Sequence, residues 1–176
     1  MRIMKAPASS TAAVLADEFD RSFVAAPPEE IAHAEKAYAL RLGDDPYAIR
    51  AGEIAGLFRD HRVVQLPSRE PALLGVAGFR GRIAPVYDLA VLLGYPARPL
   101  PRWLLLAAGD ELALAVTAFE GQLSLSHGDV APPAEQWAGR SFIRGAVRAN
   151  ALLRPIVDTR LLVEEIRRRA GIPRTT

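Results

Sequence analysis

The chain has 176 residues, 50% of them apolar and 24% charged, with a formal net charge of +2. This is the balance of one folded domain, or of two small halves sharing a core, and it should bury roughly 70% of its unfolded surface. The absence of cysteine excludes disulfides, thiolate zinc sites and thiol catalysis, and no apolar run approaches the ~18 residues of a helical membrane span.

Residues 1–34 differ in composition from the rest. Ser9, Ser10 and Thr11 offer caps to a helix on which Leu15, Phe19 and Phe23 fall four apart as one apolar stripe, ended by Pro27-Pro28. Residues 12–16 are too short for a signal-peptide core, and Asp17 and Glu18 interrupt them. The expected compartment is therefore the cytoplasm. A helix this short is marginal alone, so the segment docks on its own domain, stays loose, or serves as an arm for a partner. The expected organisation is an N-terminal extension over 1–34, one domain of two interleaved β-subdomains over 35–171, and a flexible tail over 172–176.

From Lys36 the pattern is that of strands. Residues 37–42, a turn at 43–46 and residues 47–49 read as strand, reverse turn, strand. Residues 54–58 and 62–66 continue the series until Pro67 breaks it. Residues 72–89 then make an apolar approach, a corner at Gly78-Phe79-Arg80-Gly81, and a second strand over 83–87. The two glycines supply positive φ at the corner, and β-formers on both sides make it a hairpin. Arg80 stands on that corner, where little shields its guanidinium. Asp88 is placed to cap a short helix over 89–93, which Gly94 ends and Pro96 keeps from resuming.

Further strands are expected at 103–107, 112–116 and 122–125, with 127–139 as the longest loop. The last helix, 159–170, places Leu161, Leu162, Glu165 and Ile166 near one side. Its Arg167-Arg168-Arg169 run suits the negative end of a helix dipole, the alternative being a nucleic-acid patch.

The central pattern occurs twice. Gly75 stands before Pro85 at the spacing of Gly145 before Pro155, and Asp88 follows Pro85 as Asp158 follows Pro155. Upstream, residues 47–54 are loosely echoed by 112–119. A repeat of about 70 residues is too long for a solenoid unit, and it implies two similar β-subdomains. Many short strands, close-set turns and only short or terminal helices indicate an all-β chain of small barrels or a sandwich.

No enzyme constellation is present. His33, His61 and His127 are scattered with no ligand at metal spacing, and no cofactor motif is found. Gly78-Phe79-Arg80-Gly81 lacks the Gly-Lys-Ser/Thr ending of a P-loop, and there is no Gly-x-Ser-x-Gly elbow. Asp88 and Asp158 occupy equivalent places, but each precedes a helix and is explained by capping.

Residues 75–89, Gly-Val-Ala-Gly-Phe-Arg-Gly-Arg-Ile-Ala-Pro-Val-Tyr-Asp-Leu, resemble the central motif of the CheW family, the coupling proteins of bacterial chemotaxis arrays. The resemblance runs from about Lys36 to Ala170. It implies two packed five-stranded SH3-like barrels and a non-enzymatic adaptor that assembles into arrays from a monomer. It also implies two partners: a methyl-accepting receptor's cytoplasmic hairpin tip and the regulatory domain of a CheA-type histidine kinase. The family's receptor-contacting arginine falls on Arg80, flanked by Phe79 and Gly81, the alternative being an arginine that holds its own turn. Phe79, Ile83 and Val86 would be core or groove residues, Ile83 and Val86 the more core-like. The kinase-facing strand carries Ile54, Gly56 and Leu57, with Gly56 where members commonly have an acid. A small-barrel module for single-stranded nucleic acid is the competing reading, opposed by an aromatic content of only 7%.

Overall fold

The computed structural model describes residues 35–97, 101–109, 112–126, 128–134, 137, 142–149 and 151–170. By compactness the chain divides into Met1–His33 and Ala34–Thr176. The expected N-terminal helix, the tail, His33 and His127 lie outside the described residues.

The described part is built mostly from strands: β1 (Glu35–Leu42), β2 (Asp45–Arg50), β3 (Ile54–Arg59), β4 (Leu73–Phe79), β5 (Arg82–Asp88), β6 (Trp103–Ala107), β7 (Ala113–Val116), β8 (Ala118–Leu125), β9 (Val130–Ala131), β10 (Ile143–Ala149) and β11 (Leu152–Val157). Two helices join them, α1 (Leu89–Leu92) and α2 (Thr159–Ala170). The strands form a six-stranded sheet in the order β8-β1-β2-β11-β10-β9 and a five-stranded sheet in the order β3-β6-β7-β5-β4. These are the two expected β-subdomains, the sixth strand of the first being the two-residue β9.

The internal repeat is exact at the level of register. In β4–β5, Val76 faces Pro85, and the ladder slips by one residue between Leu73 and Gly75. In β10–β11, Ala146 faces Pro155, and the slip falls between Ile143 and Gly145. Each second strand then pairs in parallel with a strand from elsewhere in the chain, Val86 with Ala113 and Ile156 with Ala48. That parallel pairing is the structural content of the faint echo between 47–54 and 112–119.

Close approach explains both repeat glycines. A Cβ on Gly75 would lie 2.1 Å from the Val64 carbonyl oxygen, and one on Gly145 would lie 2.8 Å from Val130 Cγ1. In each half the glycine lets a crossing segment lie against the hairpin. Val64 makes an isolated bridge to Val76 in one half, and β9 pairs with β10 in the other. The expected strand over 62–66 is reduced to that single bridge, because Pro67 follows and Val64 and Leu66 remain exposed. The expected 127–139 loop contains β9, and the short strand at 122–125 extends back to Ala118.

The main core lies between the two sheets. Leu40, Leu42, Tyr47 and Ile49 of one meet Leu105, Leu114 and Val116 of the other, with Leu89 of α1 and Leu162 and Ile166 of α2 closing the cluster. Each sheet also wraps a small interior of its own, Ala77, Phe79, Ala84, Val86, Leu104 and Leu106 in one, and Ala37, Ala48, Val147 and Ile156 in the other. Strands β6 and β7 are therefore covered on both faces, which is why they read as unbroken apolar runs rather than alternating ones. Glu165, expected on the apolar side of α2, instead pairs with Arg168 and Arg169 at 2.6 and 2.8 Å. Those hydrogen bonds lower its carboxyl to about 2.

Candidate functional site

The β4–β5 hairpin turns on two residues, Arg80 and Gly81, at φ 48° and 84°. Two successive left-handed residues define a type I′ turn, whose twist matches that of the strands it joins. Gly78, expected to supply positive φ, is ordinary strand facing Ile83; the left-handed non-glycine residue is Arg80 itself. A side chain in that conformation costs roughly 1 kcal/mol, offset here by the ladder on either side. The turn therefore fixes the direction in which Arg80, which is exposed, leaves the backbone.

Strand parity decides what surrounds it. Phe79 faces Arg82 across the turn and points into the small interior, where it is 2% exposed. Ala77, Ala84 and Val86 point the same way. Ile83 must then point outward, and it is 78% exposed. The two expectations are thus exchanged: Phe79 is core, Ile83 is surface, and Val86 is core as expected.

Phe79 supports the turn from beneath. Its ring stacks on His61 at 5.0 Å with a 15° interplanar angle and meets Phe58 at 4.9 Å. His61 Nε2 lies 2.7 Å from the Gly78 carbonyl oxygen, tying the segment after β3 to the hairpin. Neither Phe58 nor His61 is legible from sequence as part of this site. Their one local signal is their spacing of three, which says nothing of the hairpin they meet.

Strand β3 passes under the same turn. A Cβ built on Gly56 would lie 3.9 Å from Arg80 Nη2, so the sites assigned to two different partners are adjacent. Ile54 and Leu57 are half-buried and pack into the main core, presenting only part of their side chains outward. Below the tip, Asp60 accepts hydrogen bonds from Arg102 Nε and Nη2 at 3.0 and 3.1 Å. The Arg102 hydrogen bond holds the Asp60 carboxyl below the ordinary carboxylate value. Arg59 lies over the Trp103 ring at 5.6 Å.

The duplicated aspartates are caps. Asp88 Oδ1 accepts from the amides of Ala90 and Val91 at 2.8 and 3.3 Å, and Asp158 Oδ1 accepts from Leu161 at 3.1 Å. Among the described residues no three metal-capable side chains cluster, and no helix is long and apolar enough to cross a membrane. A recess of about 400 Å³ is lined by Asp45, Pro46, Tyr47, Tyr95, Trp137, Leu153 and Pro155, a lining without a nucleophile–base pair.

Residues 36–167 match the model of the CheW-like domain. The chain belongs to this family. Two of the proteins it is similar to follow. The CheW-like chain superposes on a crystal structure of the scaffolding protein TtCheW from Thermoanaerobacter tengcongensis with a TM-score of 0.64 at 18% identity, over 71% of this chain and 89% of that one. That likeness shows the shared fold of two SH3-like subdomains. Protein PilI of Pseudomonas aeruginosa is 31% identical over 72 residues, 41% of this chain. The CheW-like chain spans 40% of the length of PilI. Fold and family thus agree with what the central motif implied.

Proposed function

We propose that this CheW-like protein is a non-enzymatic adaptor in chemosensory signalling. It couples the cytoplasmic hairpin tip of a methyl-accepting receptor to the regulatory domain of a CheA-type histidine kinase. The observation that carries the reading is Arg80, an exposed guanidinium on a rigid two-residue turn within a CheW-like domain. Its planar fork of donors suits carbonyls and carboxylates at the end of a helical hairpin. Gly81 allows the turn, and Phe79 acts from below by fixing it. On the kinase side, Ile54, Gly56 and Leu57 of β3 form the docking strand, with the exposed edges of Ile54 and Leu57 as apolar anchors. The adaptor acts in the cytoplasm as a monomer recruited into receptor arrays over 35–171, the segment 1–34 adding an extension.

The test is a titration of the full chain with a receptor tip fragment and, separately, with the kinase regulatory domain. Arg80→Glu abolishes the first and leaves the second unchanged. Receptor binding like that of the wild type by Arg80→Glu removes Arg80 from the site, and failure of the wild type to bind either partner rejects the adaptor reading.

A further inference from the structure

Gly56 lies beside the guanidinium of Arg80. A Cβ at position 56 would stand 3.9 Å from Arg80 Nη2, so a carboxylate carried on that side chain would reach the arginine. Glycine carries none, and among the described residues no other carboxylate is paired with Arg80. Asp60, at the end of β3, is engaged by Arg102 at 3.0 Å and lies 3.5 Å from Arg59 Nε. Arg62 and Arg80 are both exposed beside the hairpin, and Ile83 adds an apolar contact next to them. The result is a cationic tip with an apolar shoulder, on a chain whose total formal charge is only +2.

We infer that Gly56 is a specificity-determining residue: by withholding a carboxylate, it leaves Arg80 to be paired by an acidic residue of the partner. The tip therefore takes an acidic protein segment that presents Asp or Glu next to an apolar side chain. This rests on the reading of Arg80 as a partner contact. Charge complementarity alone would also admit nucleic acid, but single strands need exposed stacking platforms. Here Phe79 is buried, Phe58 and His61 pack on it, and Trp103 lies under Arg59.

Three substitutions at position 56 separate charge from bulk. A Cβ there meets the Phe58 ring carbons at 2.8 and 3.1 Å, so Gly56→Ala and Gly56→Gln displace that ring as Gly56→Glu does, without its charge. The probes are a fluorescein-labelled peptide of Glu, Ala and Leu, an oligo-dT strand, and a receptor tip fragment. Gly56→Ala and Gly56→Gln bind the acidic peptide alike, and Gly56→Glu binds it about tenfold more weakly than Gly56→Gln. NMR titration places the introduced carboxyl below its ordinary value of about 4.3, through the adjacent guanidinium. Arg80→Gln, which leaves β3 untouched, gives the same loss of peptide binding.

Equal binding by Gly56→Glu and Gly56→Gln overturns the inference, as does peptide binding by Arg80→Gln at the wild-type level. Tighter capture of oligo-dT than of the acidic peptide overturns it in favour of nucleic acid. If the wild type binds the acidic peptide and not the receptor fragment, with the Glu–Gln difference intact, the adaptor reading fails and the role of Gly56 stands.

Discussion

The hairpins β4–β5 and β10–β11 share a register slip, a glycine against a crossing segment and a proline at the same rung, yet one arginine of the second is buried where the first has none. Arg80 stands outside on the turn of the first. Arg154, one residue before the second proline, occupies the place of Ala84 and is 3% exposed. Its Nη2 lies 2.7 Å from Glu120 Oε2, its Nη1 donates to the Leu40 carbonyl at 3.4 Å, and Glu120 also takes the Arg41 side chain. The same backbone thus holds one charge in solvent and another inside. Ladder geometry depends on glycine and proline at fixed spacing, whereas the location of charge depends on what the neighbouring strands provide.

The two arginines should separate cleanly in stability. Arg154→Ala removes the buried member of an ion pair whose other member, Glu120, reaches solvent, and is expected to cost about 2–3 kcal/mol in urea denaturation. Arg80→Ala is expected to change the midpoint by less than about 0.5 kcal/mol. Similar losses from both would erase the distinction between the halves.

The paired glycines sharpen the comparison. Gly75→Ala drives a Cβ into a backbone oxygen 2.1 Å away and threatens the Val64–Val76 hydrogen bonds of 2.8 and 2.9 Å, so a loss of about 2–3 kcal/mol is expected. Gly145→Ala meets mainly the Val130 methyl, which can yield, and about 1 kcal/mol is expected. Thermal melts of the two variants side by side decide this.

Acid provides a third contrast. Burial pushes the Glu120 carboxyl up, but hydrogen bonds from Arg41 and Arg154 outweigh it and hold the pKa below the ordinary value. A depressed folded pKa contributes stability that is complete above the unfolded value and disappears as pH falls through the folded one. Stability should therefore decline below about pH 4, and less steeply in Glu120→Gln, as followed by denaturation at stepped pH. The smallest effect is at the second turn. Ala151 holds φ 61° without being glycine, so Ala151→Gly should relieve up to about 1 kcal/mol, measured as a raised melting temperature. Gly81→Ala, its counterpart in the first turn, should lose a similar amount.

Part of the candidate site was legible in the chain. The turn, the exposed arginine and the two capping aspartates followed from residue chemistry at short range. The roles of Phe79 and Ile83 did not, because a two-residue turn sets which rungs face inward, and one residue of register exchanges the two. Nor could the approach of Gly56 and His61 to the tip be read, since both belong to a segment whose position is set by pairing with β6 and by the Val64–Val76 bridge.

What the sequence determined alone is the all-β class, the duplicated hairpin, the terminal helix and the place of Arg80. Those rest on local backbone preference and on spacing between glycine, proline and aspartate, which operate within a few residues. Only the tertiary structure decided that Phe79 is a prop, that Ile83 is surface, that Gly56 lies beside a guanidinium, and that Arg154 is buried. Each of these depends on a neighbour distant in sequence, and such neighbours are assigned by strand order and register rather than by any residue's own preference.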